Sequence, residues 1–226
     1  VCSSDLGVAG TARSLSPAAM AKELLPVLKN FQRLGVPLVQ YKCCSTFDSS
    51  VQTGSLGEAI RLMRSLWPDS WVPVLAATPE FGRYTMFGHH FARAGEQVYR
   101  LDRHPVMSRH PVTPMHESEL SEVLRTQGFS PKRWVDLRAL DEHEGSPDIL
   151  AADLAGEDSV VFDGYTLRQV ITAAASIWQV SRVRQVCAVA AQGFAHALGA
   201  RLRELGEITA PEPAHHLAPV DKLLVL

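Results

Sequence analysis

The chain has 226 residues, 46% of them hydrophobic, with 22 Lys plus Arg against 24 Asp plus Glu. That is enough to bury a globular core, and a formal charge of −2 lacks the basic surplus that nucleic acid or an anionic membrane surface calls for. No apolar run approaches the roughly 20 residues of a membrane span, and no charged segment leads into an apolar one as in a secretory leader, so a cytoplasmic location is expected. The four cysteines, Cys2, Cys43, Cys44 and Cys187, have no C-x-x-C spacing, so neither a disulfide framework nor a structural zinc site is expected. Val1–Leu6 matches the translated end of a sequencing adapter and is set outside the fold.

Ser16-Pro17 followed by Met20, Leu24, Val27, Leu28, Phe31 and Leu34 predicts a helix that Pro26 should kink or divide. Val36–Cys44 is apolar and β-prone and predicts a short buried strand. After a loop, Ser55-Leu56-Gly57-Glu58 has the form of a capping box, and Ala59, Ile60, Met63, Leu66 and Trp67 give the helix it opens an apolar face. Trp71–Ala76 predicts the next strand, which completes a βαβ unit of a parallel sheet. The alternation returns with strands at Ser159–Phe162 and Val186–Ala190 and helices at Leu167–Trp178 and Gly193–Leu205. Another strand is expected to begin at Leu223. Thr78–Glu144 reads as irregular, and a long irregular stretch in a compact domain points to function. Pro211, Pro213 and Pro219 give residues 209–219 a linker composition.

The fold expected from this order is α/β, a three-layer, mostly parallel sheet with helices on both faces, Rossmann-like. In such sheets ligands bind outside the carboxyl ends of the strands, where Lys42–Ser50 falls. That segment offers one ammonium, four hydroxyls and one carboxylate, followed by the N–H groups of a helix start, which suits a small polyol acid. A serine-rich turn with helix caps is the competing reading, and the segment alone does not decide between them. In a second cluster Gly82 and Gly88 bracket Arg83 and Thr85, which allows close backbone approach and a guanidinium fork for a carboxylate or phosphate. His104-Pro105 and His110-Pro111 have no third ligand at matching spacing, so no metal site is expected there. Cys43 and Cys44 read as core thiols and His196 as a satisfied structural histidine. Neither a P-loop nor a G-x-G-x-x-G is present.

Three ordered motifs carry a resemblance. They are Tyr41-Lys42-Cys43-Cys44-Ser45-Thr46-Phe47-Asp48-Ser49-Ser50, Gly82-Arg83-Tyr84-Thr85-Met86-Phe87-Gly88 and Met107-Ser108-Arg109-His110-Pro111-Val112-Thr113-Pro114-Met115. Together they resemble the amino-terminal domain of the four-carbon acid sugar kinases, from about Ala12 to Leu226. The resemblance implies a kinase that phosphorylates a hydroxyl of threonate, erythronate or a 3-oxo-tetronate. In that family one domain holds the sugar acid and a carboxy-terminal domain holds ATP with Mg2+. Lys42, Ser45, Thr46 and Asp48 match the substrate loop, and Gly82, Arg83 and Gly88 the second motif.

The resemblance divides the chain into an acid-sugar-binding domain at 7–208, a linker at 209–219 and the start of a nucleotide-binding domain at 220–226. An acidic Asp-Asp motif expected ahead of the first helix is missing, and a Gly-Ser-Ser-Gly-like turn appears as Ala190-Ala191-Gln192-Gly193. The expectation is therefore a kinase fragment without its ATP-binding half, inactive alone and binding neither ATP nor Mg2+. The alternative is a non-catalytic sugar-acid-binding or regulatory module.

Overall fold

A computed structural model describes residues 6–209; the expected linker beyond residue 209, the strand at Leu223 and all but Leu6 of the adapter-like start lie outside the described residues. The chain begins with a short 3-10 turn, Ala12–Ser14, then α1 (Pro17–Leu34), β1 (Leu38–Lys42), α2 (Leu56–Leu66) and β2 (Val72–Leu75). It continues through β3 (Arg83–Met86), β4 (His89–Ala94), β5 (Gln97–Arg100), α3 (Leu120–Thr126), β6 (Arg133–Val135) and α4 (Leu137–Glu142). It closes with α5 (Pro147–Leu154), β7 (Ser159–Phe162), α6 (Leu167–Ser181), β8 (Val186–Ala190) and α7 (Gln192–Glu204).

Five strands form an all-parallel sheet in the order β1-β8-β2-β7-β6. Because successive side chains point to opposite faces, Val74, Val161 and Cys187 pack with Leu28, Ile60 and Leu124 of α1, α2 and α3. Leu75, Val160, Phe162 and Ala188 pack on the other face with Leu140, Leu150, Ile177 and Phe194 of α4 to α7. Burial on both faces explains why these strands read as continuous apolar runs. The three-layer α/β expectation is borne out. No described helix is long and apolar enough to cross a membrane.

Three local readings are corrected. Pro26 does not divide α1, which runs unbroken from Pro17 to Leu34. Pro26 is exposed, so the carbonyl that loses its N–H partner faces water. The first strand is shorter than Val36–Cys44: Cys43 N still donates to Ala190 O, but the chain then turns, with Phe47 N donating to Cys44 O. The stretch Thr78–Glu144 is not irregular, since β3, β4 and β5 form a second, antiparallel sheet in which each strand pairs with the next. Its first turn is Phe87-Gly88, both at positive φ (52° and 79°), as a two-residue turn of primed type requires.

Candidate functional site

The carboxyl end of β1 builds one wall of the site. Lys42 is exposed there, and its ammonium makes no hydrogen bond or ion pair with any described residue. Beyond it Phe47 is fully buried at φ 53°, an uncommon backbone region for a bulky side chain. The core holds its ring and so fixes Thr46 and Asp48 on either side. Thr46 Oγ1 donates to Asp48 Oδ1 at 2.5 Å, and Thr113 Oγ1 donates to Asp48 Oδ2 at 3.2 Å. Arg13 Nη2 donates to the same Oδ2 at 2.9 Å. Burial pushes the Asp48 carboxyl up, but the Thr46 and Arg13 hydrogen bonds and the Arg13 charge outweigh it and hold the group below the ordinary range.

Of these residues Arg13, Lys42 and Asp48 line a cavity of about 50 Å³, with Tyr41, Cys44 and Gly54 among others, whereas Ser45 and Thr46 do not. With two cations against one carboxylate, its lining is net positive. Ser45 Oγ makes no hydrogen bond with a described residue, whereas Ser45 O accepts from His90 Nε2 at 2.8 Å. Thr85 Oγ1 stands 2.9 Å from His90 Nδ1, so His90 is the neutral tautomer with its proton on Nε2. Burial lowers its pKa to about 4. This buried bridge ties the antiparallel sheet to the loop after β1.

Gly82, Arg83 and Gly88 are not among the residues lining that cavity. Arg83 Nη1 donates to the carbonyls of Phe81 (2.8 Å), Gly82 (3.3 Å) and Arg93 (3.3 Å), while its buried Nε has no partner. Gly88 N donates to Asp163 Oδ1 at 3.0 Å, in the first turn of the antiparallel sheet. The helix N–H groups expected to face a ligand are occupied: Leu56 N and Gly57 N both donate to Gln127 Oε1, at 2.7 and 3.3 Å. Glu58 turns to Arg61, so only the Ser55 half of the expected capping box forms.

His104 Nδ1 accepts from Val106 N and Met107 N, and His110 Nδ1 from Thr113 N, so both histidines staple their own loops. His196 is exposed and pairs with Glu80 at 2.8 Å. Cys43 is buried and its thiol is pushed up to about 12 by burial, as a core residue. Sequence reasoning missed Arg13, Thr113 and Asp163. Only Thr113 stood inside a recognised motif, and nothing local marks the partners of the other two.

Residues 2–198 match the family of sugar-binding N-terminal domains. The chain belongs to that family. The sugar-binding domain is 35% identical over 222 residues to the 3-oxo-isoapionate kinase of Paraburkholderia graminis, an alignment that covers 96% of this chain and 47% of the relative. It is 29% identical over 120 residues to the 3-oxo-tetronate kinase of Pseudomonas savastanoi pv. phaseolicola, over 53% of this chain and 27% of that protein. The chain thus spans about half the length of the first of these relatives, and its match to the second is shorter still. The kinase-family resemblance read from the three motifs is borne out.

Among solved structures, Haemophilus influenzae protein HI1011 superposes with a TM-score of 0.70 at 20% identity, over 85% of this chain and 45% of that one. A Bordetella bronchiseptica domain of unknown function with bound citrate gives 0.66 at 23% identity, over 88% of this chain and 46% of that one. At such identities the likeness speaks for the fold of the sugar-binding domain alone.

Proposed function

We propose that the chain is the substrate-binding half of an ATP-dependent kinase that phosphorylates a hydroxyl of a four-carbon sugar acid, of the threonate, erythronate or 3-oxo-tetronate type. The observation that carries the reading is the net-positive cavity at the carboxyl end of β1, where exposed, unpaired Lys42 stands beside buried Asp48. The acid's anionic end meets Lys42 in this cavity, and Arg83, outside its lining, keeps Nη2 free of hydrogen bonds with described residues as a further cation of the site. The sugar hydroxyls take Ser45 and Thr46 of the loop beyond the cavity, a mixed set of donors and acceptors, and Asp48 orders that loop through Thr46. Gly82 and Gly88, both at positive φ, shape the turns that carry the second motif. Two relatives named as kinases of 3-oxo sugar acids support the substrate class.

The described residues do not fit ATP or Mg2+ by themselves. They carry no glycine-rich phosphate cradle and no group of three His, Cys, Asp or Glu able to hold a metal. ATP and Mg2+ are therefore assigned to a second, carboxy-terminal domain joined through residues 209–219, with reaction between the two. Free Cys43, Cys44 and Cys187 support a reducing, cytoplasmic setting.

The test is ATP consumption with threonate, erythronate and 3-oxo-tetronate, on the 226-residue chain alone and fused to the carboxy-terminal half of the Paraburkholderia relative. Turnover is expected only from the fusion. Turnover by the chain alone contradicts the two-domain reading. A fusion that binds acid without turnover makes the chain a non-catalytic sugar-acid-binding module instead.

A further inference from the structure

We infer that Arg13 reads the negative charge of the substrate and that Asp48 is the positioning residue that aims it, an inference that rests on the sugar-acid reading above. The Arg13 side chain is 61% exposed, while that of its partner Asp48 is 2% exposed. One guanidinium nitrogen is thus pinned to a buried carboxylate, and Nη1 and Nε make no hydrogen bond with any described residue. A guanidinium carries five N–H donors in a rigid fork, so a one-point anchor leaves most of the fork open to the cavity that Arg13 lines.

The backbone beneath Arg13 is held on three sides. Thr11 donates to Glu23 of α1 through both N and Oγ1, each at 2.6 Å. Gly54 N, in the loop between β1 and α2, donates to Leu15 O at 2.9 Å. Ala12 is buried with Met20 and Ala59. An arginine on a loose chain end would spend its order on forming one ion pair, but this one is ordered before a ligand arrives.

Charge and shape narrow the ligand group. The cavity is open on one side and its lining carries two cations, Arg13 and Lys42, against the single carboxylate of Asp48. Within the lining, Asp48 neutralises one cation and leaves one positive charge. A planar fork matches a carboxylate at two points, which the Lys42 ammonium does not. Arg13 therefore takes the carboxylate, with Lys42 as the second cation. Asp48, already paired and held ionised, serves as the anchor of Arg13 and not as the base that receives a hydroxyl proton.

The 226-residue chain is titrated calorimetrically with threonate and with threitol, its uncharged counterpart, as wild type, Arg13→Ala, Arg13→Lys and Asp48→Asn. The wild type is expected to prefer threonate. Arg13→Ala should lose roughly tenfold or more of the threonate affinity and none of the threitol affinity, the scale of one charge-assisted contact. Arg13→Lys keeps the charge and loses the fork, so it should recover part of the preference. It also decides the question if the Ala variant melts early. Asp48→Asn should narrow the preference, and adding Arg13→Ala to it should cost little more. An unchanged preference in Arg13→Ala and Arg13→Lys overturns the inference while leaving the sugar-acid reading intact. A wild type that binds neither ligand overturns that reading and the inference with it.

Discussion

His90, fully buried in β4, donates from Nε2 to the backbone oxygen of Ser45 at 2.8 Å and so joins the antiparallel sheet to the loop after β1. Its pKa is lowered to about 4 by burial, against an ordinary His value of 6.5, and His104 is lowered for the same reason. Acidification from pH 6.5 towards 4 therefore protonates the unfolded chain first, and stability present above 6.5 drains away across that window. The loss attributable to His90 is on the order of 3 kcal/mol. Denaturant unfolding at pH 7 and pH 4.5 measures it. His90→Gln, which keeps an N–H donor and does not titrate, should flatten most of the pH dependence.

Gly54 and Arg13 meet backbone to backbone. Gly54 sits at φ 60°, and a Cβ there would lie 2.2 Å from Arg13 O, whereas Gly35 at φ 64° has open space around it. Gly35→Ala should cost about 1 kcal/mol of stability, the strain of a left-handed residue, and leave ligand affinity alone. Gly54→Ala adds a clash with main chain and should cost about 2 to 3 kcal/mol. Because that clash pushes the Arg13 segment off the loop, threonate affinity should fall in the same variant. Equal melting losses for the two variants would count against the locked segment.

Gln127 substitutes for the capping box that Glu58 does not complete. Its Oε1 accepts from Leu56 N and Gly57 N, and its Nε2 donates to Ser49 Oγ at 2.8 Å, which ties α3 to both α2 and the loop after β1. Gln127→Ala frees two helix N–H groups and should cost about 1 to 2 kcal/mol. Gln127→Glu keeps the acceptor and adds a negative charge at a helix start, so it should retain most of the stability. Chemical denaturation of the three proteins side by side gives the comparison.

The central strands were legible because burial on both faces leaves a plain apolar run: Ser159–Phe162 and Val186–Ala190 were expected at the bounds that β7 and β8 have. The antiparallel sheet was not, since its first turn is Phe87-Gly88 and not the Asn-Gly or Asp-Gly that marks such a turn. Its strands also carry Arg83, His89, His90 and Arg93, which interrupt the apolar alternation expected of a strand. The loop Lys42–Ser50 was legible as polar chemistry at a strand end. Arg13 was not, because its ion pair with Asp48 spans 35 residues. Gln127 was hidden for the same reason, its bonds to the start of α2 reaching 70 or more residues back.

Asp163, at the carboxyl end of β7, is fully buried and gathers three N–H donors: Phe87 N at 2.6 Å, Gly88 N at 3.0 Å and Trp134 Nε1 at 3.0 Å. Burial raises its pKa above the ordinary Asp value, with the three donors pulling the other way. The carboxylate thus holds the turn between β3 and β4 in its positive-φ form and brings the rings of Phe87 and Trp134 edge to face, 6.3 Å apart. An amide at this position has only one acceptor oxygen for donors now shared between two, and its NH2 would confront an N–H. Asp163→Asn should therefore cost about 2 to 4 kcal/mol, the penalty of buried donors left unpaired. Trp134→Phe removes one donor and leaves the turn bonded, so it should cost less. Hydrogen exchange locates the effect: protection at the Phe87 and Gly88 amides should collapse in Asp163→Asn, while the amides of β8 exchange as in the wild type. Retained protection at Phe87 and Gly88 would mean that the backbone pairing of Thr85 with Gly164, at 2.8 and 3.0 Å, holds the hairpin without the carboxylate.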